Sequence, residues 1–299
     1  MSPDAPAIDA DLYPFAGQFF DSCDGAHMHY LDEGRGPPVV LVHGNPTWSF
    51  FYRGLVTRLR GRYRCVVPDH VGCGLSDKPP AGRYPYTLDR RVADLTALLD
   101  HLGLTRDVTL VLHDWGGMIG TAWATRFPER VRRLVVLNTA AFRLPESKRL
   151  PLSLRVARTP AVGAVLVRGF NLFCRLAARW GVVRRPLPPA VRRTYLAPYD
   201  SWANRIAVLR FVQTIPLKPT DPGYDVVADT ERRLRLLRGR PVLVCWGLRD
   251  FVFDRHFLAA WERHFPAAEV HRYDAGHYVL EDAGEEVGLR IEEFLERTG

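Results

Sequence analysis

The chain contains the stretch Val108-Thr109-Leu110-Val111-Leu112-His113-Asp114-Trp115-Gly116-Gly117, and the rest of its fold is organised around it. Its first five residues are apolar or β-branched and predict a buried strand, whereas residues 118–127 have the composition of a helix. A charged residue and two glycines lie between them. A strand, one sharp turn and a helix make up a nucleophile elbow, whose central residue has strained backbone geometry and therefore needs small neighbours. The sequence predicts an elbow with Asp114 at its tip.

An aspartate stands where such an elbow usually carries serine, and Leu112 replaces the first glycine of the Gly-x-Ser-x-Gly pattern. A serine hydroxyl needs a base before it attacks, whereas a carboxylate is anionic at pH 7 and can displace a leaving group from saturated carbon. The residue type excludes a serine esterase and predicts catalysis through an ester of Asp114. The alternative interpretation is a buried aspartate that caps the following helix.

The composition is that of a globular chain, with 299 residues of which 47% are hydrophobic and 25% are charged. The first residues, Met1-Ser2-Pro3-Asp4-Ala5-Pro6, lack the basic start and apolar run of a secretory signal. No apolar run approaches the roughly 20 residues of a membrane span. The cysteines have no metal-ligand spacing, so we expect them to be reduced, to serve in packing, and the protein to be cytoplasmic. We expect no metal and no cofactor. The cysteines are Cys23, Cys65, Cys73, Cys174 and Cys245.

Short β-rich runs alternate with segments of helical period. The predicted strands are residues 39–42, 64–68, 108–112, 133–137, 241–246 and 269–273. The predicted helices are residues 48–59, 88–102, 118–127 and 287–297, and Thr87 is the expected N-cap of the second. The alternation predicts an α/β fold with a mostly parallel, doubly wound sheet. Ligands of such sheets bind beyond the carboxyl ends of the strands, where Asn45, Asp114 and Asn138 are expected.

The alternation stops in residues 143–222, which we call the cap segment. It holds thirteen Arg and two Lys against three acidic residues, a net charge of +12 in a chain whose net charge is +8. Prolines punctuate helical patches, which predicts a helical cap inserted into the sheet domain. The expected organisation is residues 1–142 and 223–299 as the two parts of the core, with 143–222 as the cap.

Five arginines of the cap segment alternate with apolar residues and predict an amphipathic basic face. They are Arg155, Arg158, Arg168, Arg175 and Arg179. The interpretations are a solvated surface, a docking surface for an acidic partner enzyme, or contact with an anionic membrane surface. No motif that reads nucleic acid accompanies the charge, so we expect no nucleic-acid partner.

Three residues follow predicted strands in the order Asp114, Asp250, His277, which is the order of nucleophile, acid and histidine in α/β-hydrolases. Asp114 would attack carbon, His277 would act as general base toward water, and Asp250 would hold the imidazole. Alternatively, Asp250 is a turn residue and His277 is structural. The rival position for the acid, after Leu137, is occupied by Asn138, which cannot serve as a carboxylate.

Asn45 and Trp115 supply backbone N–H groups for an oxyanion hole, together with an amide and an indole N–H. Two uncharged donors of this kind suit a weakly hydrated leaving anion. The alternatives are a turn role for Asn45 and plain packing for Trp115. His43 and His113, by contrast, are expected to tie down loops.

The stretches His43-Gly44-Asn45-Pro46-Thr47, His113-Asp114-Trp115-Gly116-Gly117 and Gly276-His277, with the loop at residues 72–78, together resemble the haloalkane dehalogenase family of α/β-hydrolases. The resemblance covers nearly the whole chain. It implies an α/β-hydrolase fold with an inserted cap, a catalytic triad of Asp114, His277 and Asp250, and a halide-holding pair of Asn45 and Trp115.

Within that family the sequence is most similar to the β-lactone decarboxylases of bacterial long-chain olefin biosynthesis. Residues 199–208, 246–254 and 275–282 carry this resemblance. It implies conversion of a cis-β-lactone to an alkene and carbon dioxide, and a hydrophobic small-molecule substrate. Within such a pathway, the basic cap segment is a candidate surface for association with the other enzymes. Bulky apolar residues of the cap segment are candidates to line slots for two hydrocarbon chains, namely Leu166, Phe170, Leu172, Phe173, Leu176 and Trp180.

Three other functions remain open at this point. A haloalkane dehalogenase would use the same residues. An epoxide hydrolase would need tyrosine donors, for which Tyr195, Tyr199 and Tyr224 are candidates. A non-catalytic scaffold would keep the fold and bind partners through the basic cap segment.

Overall fold

The computed structural model describes residues 8–22 and 24–299, so the expectations for residues 1–6 and Cys23 lie outside it. Its centre is one eight-stranded sheet of order β1-β2-β4-β3-β5-β6-β7-β8, parallel from β4 to β8, with β1 and β2 antiparallel. The strands are β1 (Gln18–Asp21), β2 (His27–Glu33), β3 (Pro38–Val42), β4 (Arg64–Pro68), β5 (Val108–Asp114), β6 (Val131–Thr139), β7 (Val242–Gly247) and β8 (Glu269–Tyr273).

The six parallel strands match the predicted positions, and the predicted α/β class with a mostly parallel sheet is confirmed. The two N-terminal strands were not predicted. The sequence of β2, His-Met-His-Tyr-Leu-Asp-Glu, has no apolar run, because polar residues interrupt its buried middle. Strand β2 is held by its antiparallel pairing with β4.

Twelve α-helices surround the sheet in the described part of the chain. They are α1 (Arg53–Leu59), α2 (Leu88–His101), α3 (Trp115–Arg126), α4 (Leu152–Arg158), α5 (Pro160–Gly163), α6 (Leu172–Trp180), α7 (Pro189–Leu196), α8 (Ile206–Gln213), α9 (Tyr224–Arg233), α10 (Arg255–His264), α11 (Val279–Asp282) and α12 (Gly284–Arg297). The helix predicted at 48–59 begins as a 3₁₀ turn, Ser49–Tyr52, before α1. The predicted cap of α2 is confirmed, since the Thr87 hydroxyl accepts from the Arg90 N–H.

Between β6 and β7 the chain is helical, as expected from the loss of alternation. A π-helical segment, Ala164–Gly169, joins α5 to α6. No single helix in residues 8–22 and 24–299 has the length and hydropathy to cross a membrane. The pair Pro160–Gly169 and Leu172–Trp180, bent by 68°, reaches that hydropathy only when the two are taken together.

The arginines of the cap segment divide into two groups. Arg158 pairs with Asp221 and donates to the Ile215 carbonyl, and Arg168 donates to the Trp202 carbonyl and lies over its ring. The prediction of one basic face is therefore wrong for these two, because they hold the cap segment together. Arg155, Arg175 and Arg179 are exposed.

Candidate active site

Parallel strands bring the predicted residues to one edge of the sheet. Asn45 follows β3, Asp114 ends β5, Asn138 lies in β6, Asp250 follows β7 and His277 follows β8. Because the carboxyl ends of these strands all lie on the same side, residues that are far apart in sequence become neighbours. All five are buried.

The turn at Asp114 has the geometry of an elbow. Asp114 has φ +52° and ψ −127°, a conformation that a non-glycine residue rarely adopts. Its small neighbours are needed, since a Cβ on Gly116 would lie 1.9 Å from the Val42 carbonyl oxygen. A Cβ on Gly44 would lie 2.0 Å from Asp114 Oδ1. The predicted strand–turn–helix is therefore present, with the carboxylate at its tip.

The Asp114 carboxylate faces two other parts of the site. Oδ1 accepts from the Asn45 backbone N–H at 2.7 Å, and Oδ2 lies 3.5 Å from His277 Nε2. Burial works to raise the pKa of Asp114, but His277 and the Asn45 N–H hold it below the ordinary value. The side chain makes no capping hydrogen bond to α3, so the alternative of a helix cap is wrong.

Asp250 and His277 form a close pair, in which His277 Nδ1 donates to Asp250 Oδ2 at 2.7 Å. Oδ1 of Asp250 also accepts the N–H groups of Val252 and Phe253 at 2.7 and 3.1 Å, so the residue organises its turn as well. Burial works to lower the pKa of His277, but the Asp250 and Asp114 carboxylates outweigh it and raise the pKa to about 10. At neutral pH the histidine is a cation between two carboxylates.

Asn138 has a structural role that the sequence did not predict, since it hydrogen-bonds to Asp250 and to the backbone of Gly247. Its Nδ2 donates to Asp250 Oδ2 at 3.1 Å and to the Gly247 carbonyl at 3.0 Å, while its Oδ1 accepts the Gly247 N–H at 2.8 Å. It fixes the turn after β7 and restrains the acid. The sequence predicts its position at a strand end, beside Asp114, but no local pattern indicates its contact with Asp250.

Asn45 and Trp115 both face the space in front of Asp114. One N–H of the Asn45 amide donates to the Val208 carbonyl in α8 at 3.2 Å, which leaves a second N–H available. The Trp115 ring packs against Phe211, with ring centroids 5.0 Å apart. No acceptor for the indole N–H is found among residues 8–22 and 24–299.

Two further histidines hold loops, as expected. His43 Nε2 accepts the His70 N–H at 3.1 Å, and His113 Nε2 donates to the His277 carbonyl at 2.9 Å. Burial and the charge on His277 lower the pKa of His113 to about 3, so this ring is neutral. It positions the backbone of His277 and adds no charge to the site.

A cavity of about 670 Å³ opens in front of Asp114. Asn45, Asp114, Trp115 and His277 line it, and almost all other lining residues are apolar. Of the six apolar residues predicted to line slots, Leu166, Leu172, Phe173, Leu176 and Trp180 do so. Phe170 does not, because it points outward and is 64% exposed.

None of the three tyrosines proposed as epoxide-activating donors lines this cavity. Tyr195 donates to Glu281, Tyr199 lies beside Gly74, and Tyr224 borders a different depression near His264. The described residues contain no group of three or more His, Cys, Asp or Glu side chains arranged to hold a metal ion. Because none of these tyrosines lines the cavity in front of Asp114, the support for an epoxide hydrolase is removed.

Comparison with known proteins agrees with this geometry. Residues 37–284 match the family model described as the alpha/beta hydrolase fold. A cis-3-alkyl-4-alkyloxetan-2-one decarboxylase of Shewanella oneidensis is 54% identical over 96% of this chain and 90% of its own length. A protein of the same name from Xanthomonas campestris pv. campestris is 49% identical over 96% of this chain and 98% of its own.

Among solved structures, a haloalkane dehalogenase of Agrobacterium tumefaciens C58 superposes with a TM-score of 0.84 and 27% identity. The superposition covers 97% of this chain and 100% of the dehalogenase. The chain belongs to the α/β-hydrolase fold family, among the relatives of the cis-3-alkyl-4-alkyloxetan-2-one decarboxylases and, at greater distance, of the haloalkane dehalogenases.

Proposed function

We propose that this enzyme is a β-lactone decarboxylase that converts a cis-3,4-dialkyl-oxetan-2-one into a long-chain alkene and carbon dioxide. The observation that carries the proposal is an anionic Asp114 at the wall of an apolar cavity, backed by His277 at 3.5 Å. The identities of 54% and 49% to proteins named for this activity favour the lactone over other substrates of an aspartate nucleophile.

In the first step, Asp114 Oδ2 attacks the ring carbon C4 that bears the lactone oxygen. The C4–O bond breaks, and its electron pair becomes the free carboxylate on C3. The product is an ester between Asp114 and C4, with the configuration at C4 inverted. Release of ring strain favours this step, and the catalytic carboxylate needs no prior deprotonation because its pKa is held low.

In the second step, the bond between C3 and the carboxylate breaks and its electrons form the C3–C4 double bond. The Asp114 carboxylate leaves from C4, so carbon dioxide and alkene are released and the enzyme is regenerated without water. Inversion followed by anti elimination converts a cis lactone into a cis alkene. The apolar lining supports this step, because it solvates the localised charge of the substrate carboxylate poorly.

His277 assists both steps as a cation. Its pKa of about 10 keeps it protonated at neutral pH, and this positive charge stabilises Asp114 when it departs from C4. Asp250 holds the ring in place, and Asn138 holds Asp250. We assign Asp114, His277 and Asp250 as the catalytic triad on this basis.

Asn45 and Trp115 are proposed to receive the leaving oxygen. The free N–H of the Asn45 amide and the Trp115 indole N–H are donors without formal charge, and both residues line the cavity beside Asp114. The Asn45 backbone N–H already donates to the oxygen of Asp114 that would become the ester carbonyl, which is the position of an oxyanion-hole donor.

The cap segment, residues 143–222, is proposed to act as the substrate-binding cap between core segments 1–142 and 223–299, since five of its six bulky apolar residues predicted to line the slots do line the cavity. We place the enzyme in the cytoplasm and in long-chain olefin biosynthesis. The free, buried state of Cys65, Cys73, Cys174 and Cys245 supports a reducing compartment. Exposed arginines of the cap segment suit an anionic membrane surface or an acidic enzyme of the same pathway.

Haloalkane dehalogenation is the second candidate, because the same carboxylate and donor pair suit halide displacement and the fold matches a dehalogenase. That reaction needs a water molecule to hydrolyse the ester of Asp114. Once Asp114 is esterified, His277 loses one of the two carboxylates that raise its pKa, so it becomes able to act as the base.

One experiment separates these functions. Purified enzyme is incubated with a cis-β-lactone carrying two long alkyl arms and, separately, with a set of haloalkanes. Alkene and carbon dioxide are measured by gas chromatography, and halide by ion chromatography. We expect cis alkene from the lactone at a rate well above any halide release. Rapid halide release with an untouched lactone would replace the proposal with the dehalogenase. The variant Asp114→Asn should lose this activity. Its matched control is Asp11→Asn, which makes the same change at an exposed aspartate.

A further inference from the structure

The rim of the active-site cavity is apolar and exposed. Five residues both line the cavity and are accessible from outside, so they form its mouth: Leu152, Val156, Leu172, Trp180 and Phe251. Their exposure ranges from 36% for Leu172 to 71% for Leu152. Side chains of this kind are ordinarily buried, and a contiguous exposed group of them marks an interaction surface.

The exposed apolar surface continues beyond the mouth. Val162, Val165 and Phe170 lie on the elements that follow α4 and lead into α6, and each is at least half exposed without lining the cavity. These elements are apolar enough that Pro160–Gly169 and Leu172–Trp180 together reach the hydropathy of a membrane span. The two segments meet at a bend of 68°, and each of them contributes exposed apolar side chains.

Positive charge accompanies this surface. Arg155 on α4 and Arg175 and Arg179 on α6 are exposed, and no described carboxylate lies within ion-pair distance of them. Elsewhere on the chain most arginines are paired, as Arg58, Arg64 and Arg143 are. Apolar side chains with unpaired arginines beside them are the pattern of a segment that lies in the interface of an anionic bilayer.

We propose that the mouth of the cavity docks on an anionic lipid surface, with its apolar rim inserted among the acyl chains and Arg155, Arg175 and Arg179 on the headgroups. This inference rests on the proposed function, because docking on lipid would serve to deliver the lactone substrate. A dialkyl lactone with long arms partitions into lipid, and a mouth seated in the bilayer admits it without passage through water. The alkene leaves by the same route. An acidic protein would complement the arginines but not the exposed apolar rim, so lipid is the occupant that matches both features.

The test is co-sedimentation of the whole protein with vesicles of phosphatidylglycerol and phosphatidylcholine, compared with phosphatidylcholine alone. We expect binding to the anionic vesicles that weakens at high salt, where the screening length shortens. The variant Arg155→Gln/Arg175→Gln/Arg179→Gln should lose affinity by about fivefold for each arginine at low salt. The variant Val162→Ser/Val165→Ser/Phe170→Ser should also lose affinity, and its loss should persist at high salt.

Each variant has a control on the core. Arg83→Gln/Arg106→Gln/Arg235→Gln removes the same charge from exposed arginines outside the cap segment. Phe19→Ser/Leu236→Ser/Leu289→Ser removes exposed apolar side chains from the core. Both controls should bind vesicles as the native protein does. Equal losses in the arginine variant and its control would mean nonspecific attraction, and native protein that fails to sediment would leave an acidic protein as the partner; either result overturns the lipid proposal.

Activity separates this inference from the proposed function. With a short-chain lactone dispersed in water, both cap-segment variants should form alkene at the native rate. With a long-chain lactone embedded in anionic vesicles, they should be slower than their controls. Vesicle binding without alkene from any lactone would remove the proposed function and leave the docking surface. Alkene formation that is equal for all variants in vesicles would remove the docking surface and leave the function.

Discussion

The strand ends and the cap segment meet at one cavity, but they differ in how their polar groups are used. At the strand ends, Asp250 accepts four hydrogen bonds, from Val252, Phe253, Asn138 and His277. In the cap segment, Arg155, Arg175 and Arg179 are exposed, and apolar side chains form most of the mouth. The buried side has its polar groups hydrogen-bonded to one another, whereas the exposed side has arginines without a described ion-pair partner. We therefore expect the proposed reaction to depend on the strand ends and the choice of substrate to depend on the cap segment.

Among changes at the buried strand ends, Asp114→Asn should reduce turnover the most. The amide still accepts the Asn45 N–H, so the fold should remain, but it is a poor nucleophile. We expect turnover to fall by about three orders of magnitude or more. Alkene formation and thermal unfolding are measured together on the variant and on Asp11→Asn. A folded variant with most of its activity would refute the covalent mechanism.

His277→Gln should be next in effect, with a loss of turnover of about 100-fold or more. Without the cation, Asp114 departs slowly from C4, and water next to the ester is not activated. Intact-mass spectrometry should find an adduct on Asp114 with a haloalkane probe, and a shorter-lived one with the lactone. Repeated turnover of a haloalkane with no adduct at any time would contradict the assignment of His277.

Asn138→Gly sharpens the comparison, since it alters the support of the acid and leaves the triad in place. Glycine adopts the φ of +33° found at Asn138, so backbone strain is not added. It removes one of the four hydrogen bonds to Asp250 and both side-chain partners of the Gly247 backbone, and we expect kcat to fall by roughly 10-fold to 100-fold while KM changes little. The pH profile should also shift. A loss of stability with kcat and pH profile unchanged would make Asn138 a fold residue alone.

The pH dependence follows from the raised pKa of His277. The ring is protonated below a pKa of about 10, so kcat/KM should be constant near neutrality and fall about tenfold per pH unit above 10. Stability changes in the same sense. The ion pairs of His277 with Asp114 and Asp250 contribute fully to the free energy of unfolding below the pKa of unfolded histidine, about 6.5. That contribution is lost as the pH rises to the folded pKa of His277, about 10. Activity assays and unfolding at each pH test this, and activity that rises through pH 10 would oppose a cationic role.

The smallest effect is expected on the exposed side, from Leu176→Ala in the cavity wall. Leu176 is only partly buried, so removing three carbons from the contact costs about 1 kcal/mol of binding for a long-chain lactone and less for a short one. KM should rise for the long substrate with kcat unchanged. Leu236→Ala, on the core surface, is the control. Equal changes for both chain lengths would mean that Leu176 does not contact the alkyl arm.

The strand ends and the cap segment also differ in how well their residues could be predicted from the sequence. Asp114, Asp250 and His277 each follow a clear strand pattern, so a local signal placed them at one sheet edge. Asn138 was also at a strand end, but its partner lies 112 residues away, and no local pattern indicates that contact. Strand β2 was missed because its stability comes from pairing with β4. Phe170, Arg158 and Arg168 were misjudged because helical spacing alone does not tell which face of a cap helix meets its neighbours.

The hydrogen bond from the Asn45 amide to the Val208 carbonyl has a consequence for exchange of parts between relatives. Val208 lies in the cap segment and Asn45 lies outside it, so both parts of the chain set the orientation of the amide that we propose as a leaving-group donor. A chimera that receives a foreign cap also receives a foreign acceptor for this amide. We therefore expect a grafted cap to alter the rate of bond cleavage along with chain-length preference. Transplanting the cap together with the Asn45 loop should preserve that rate.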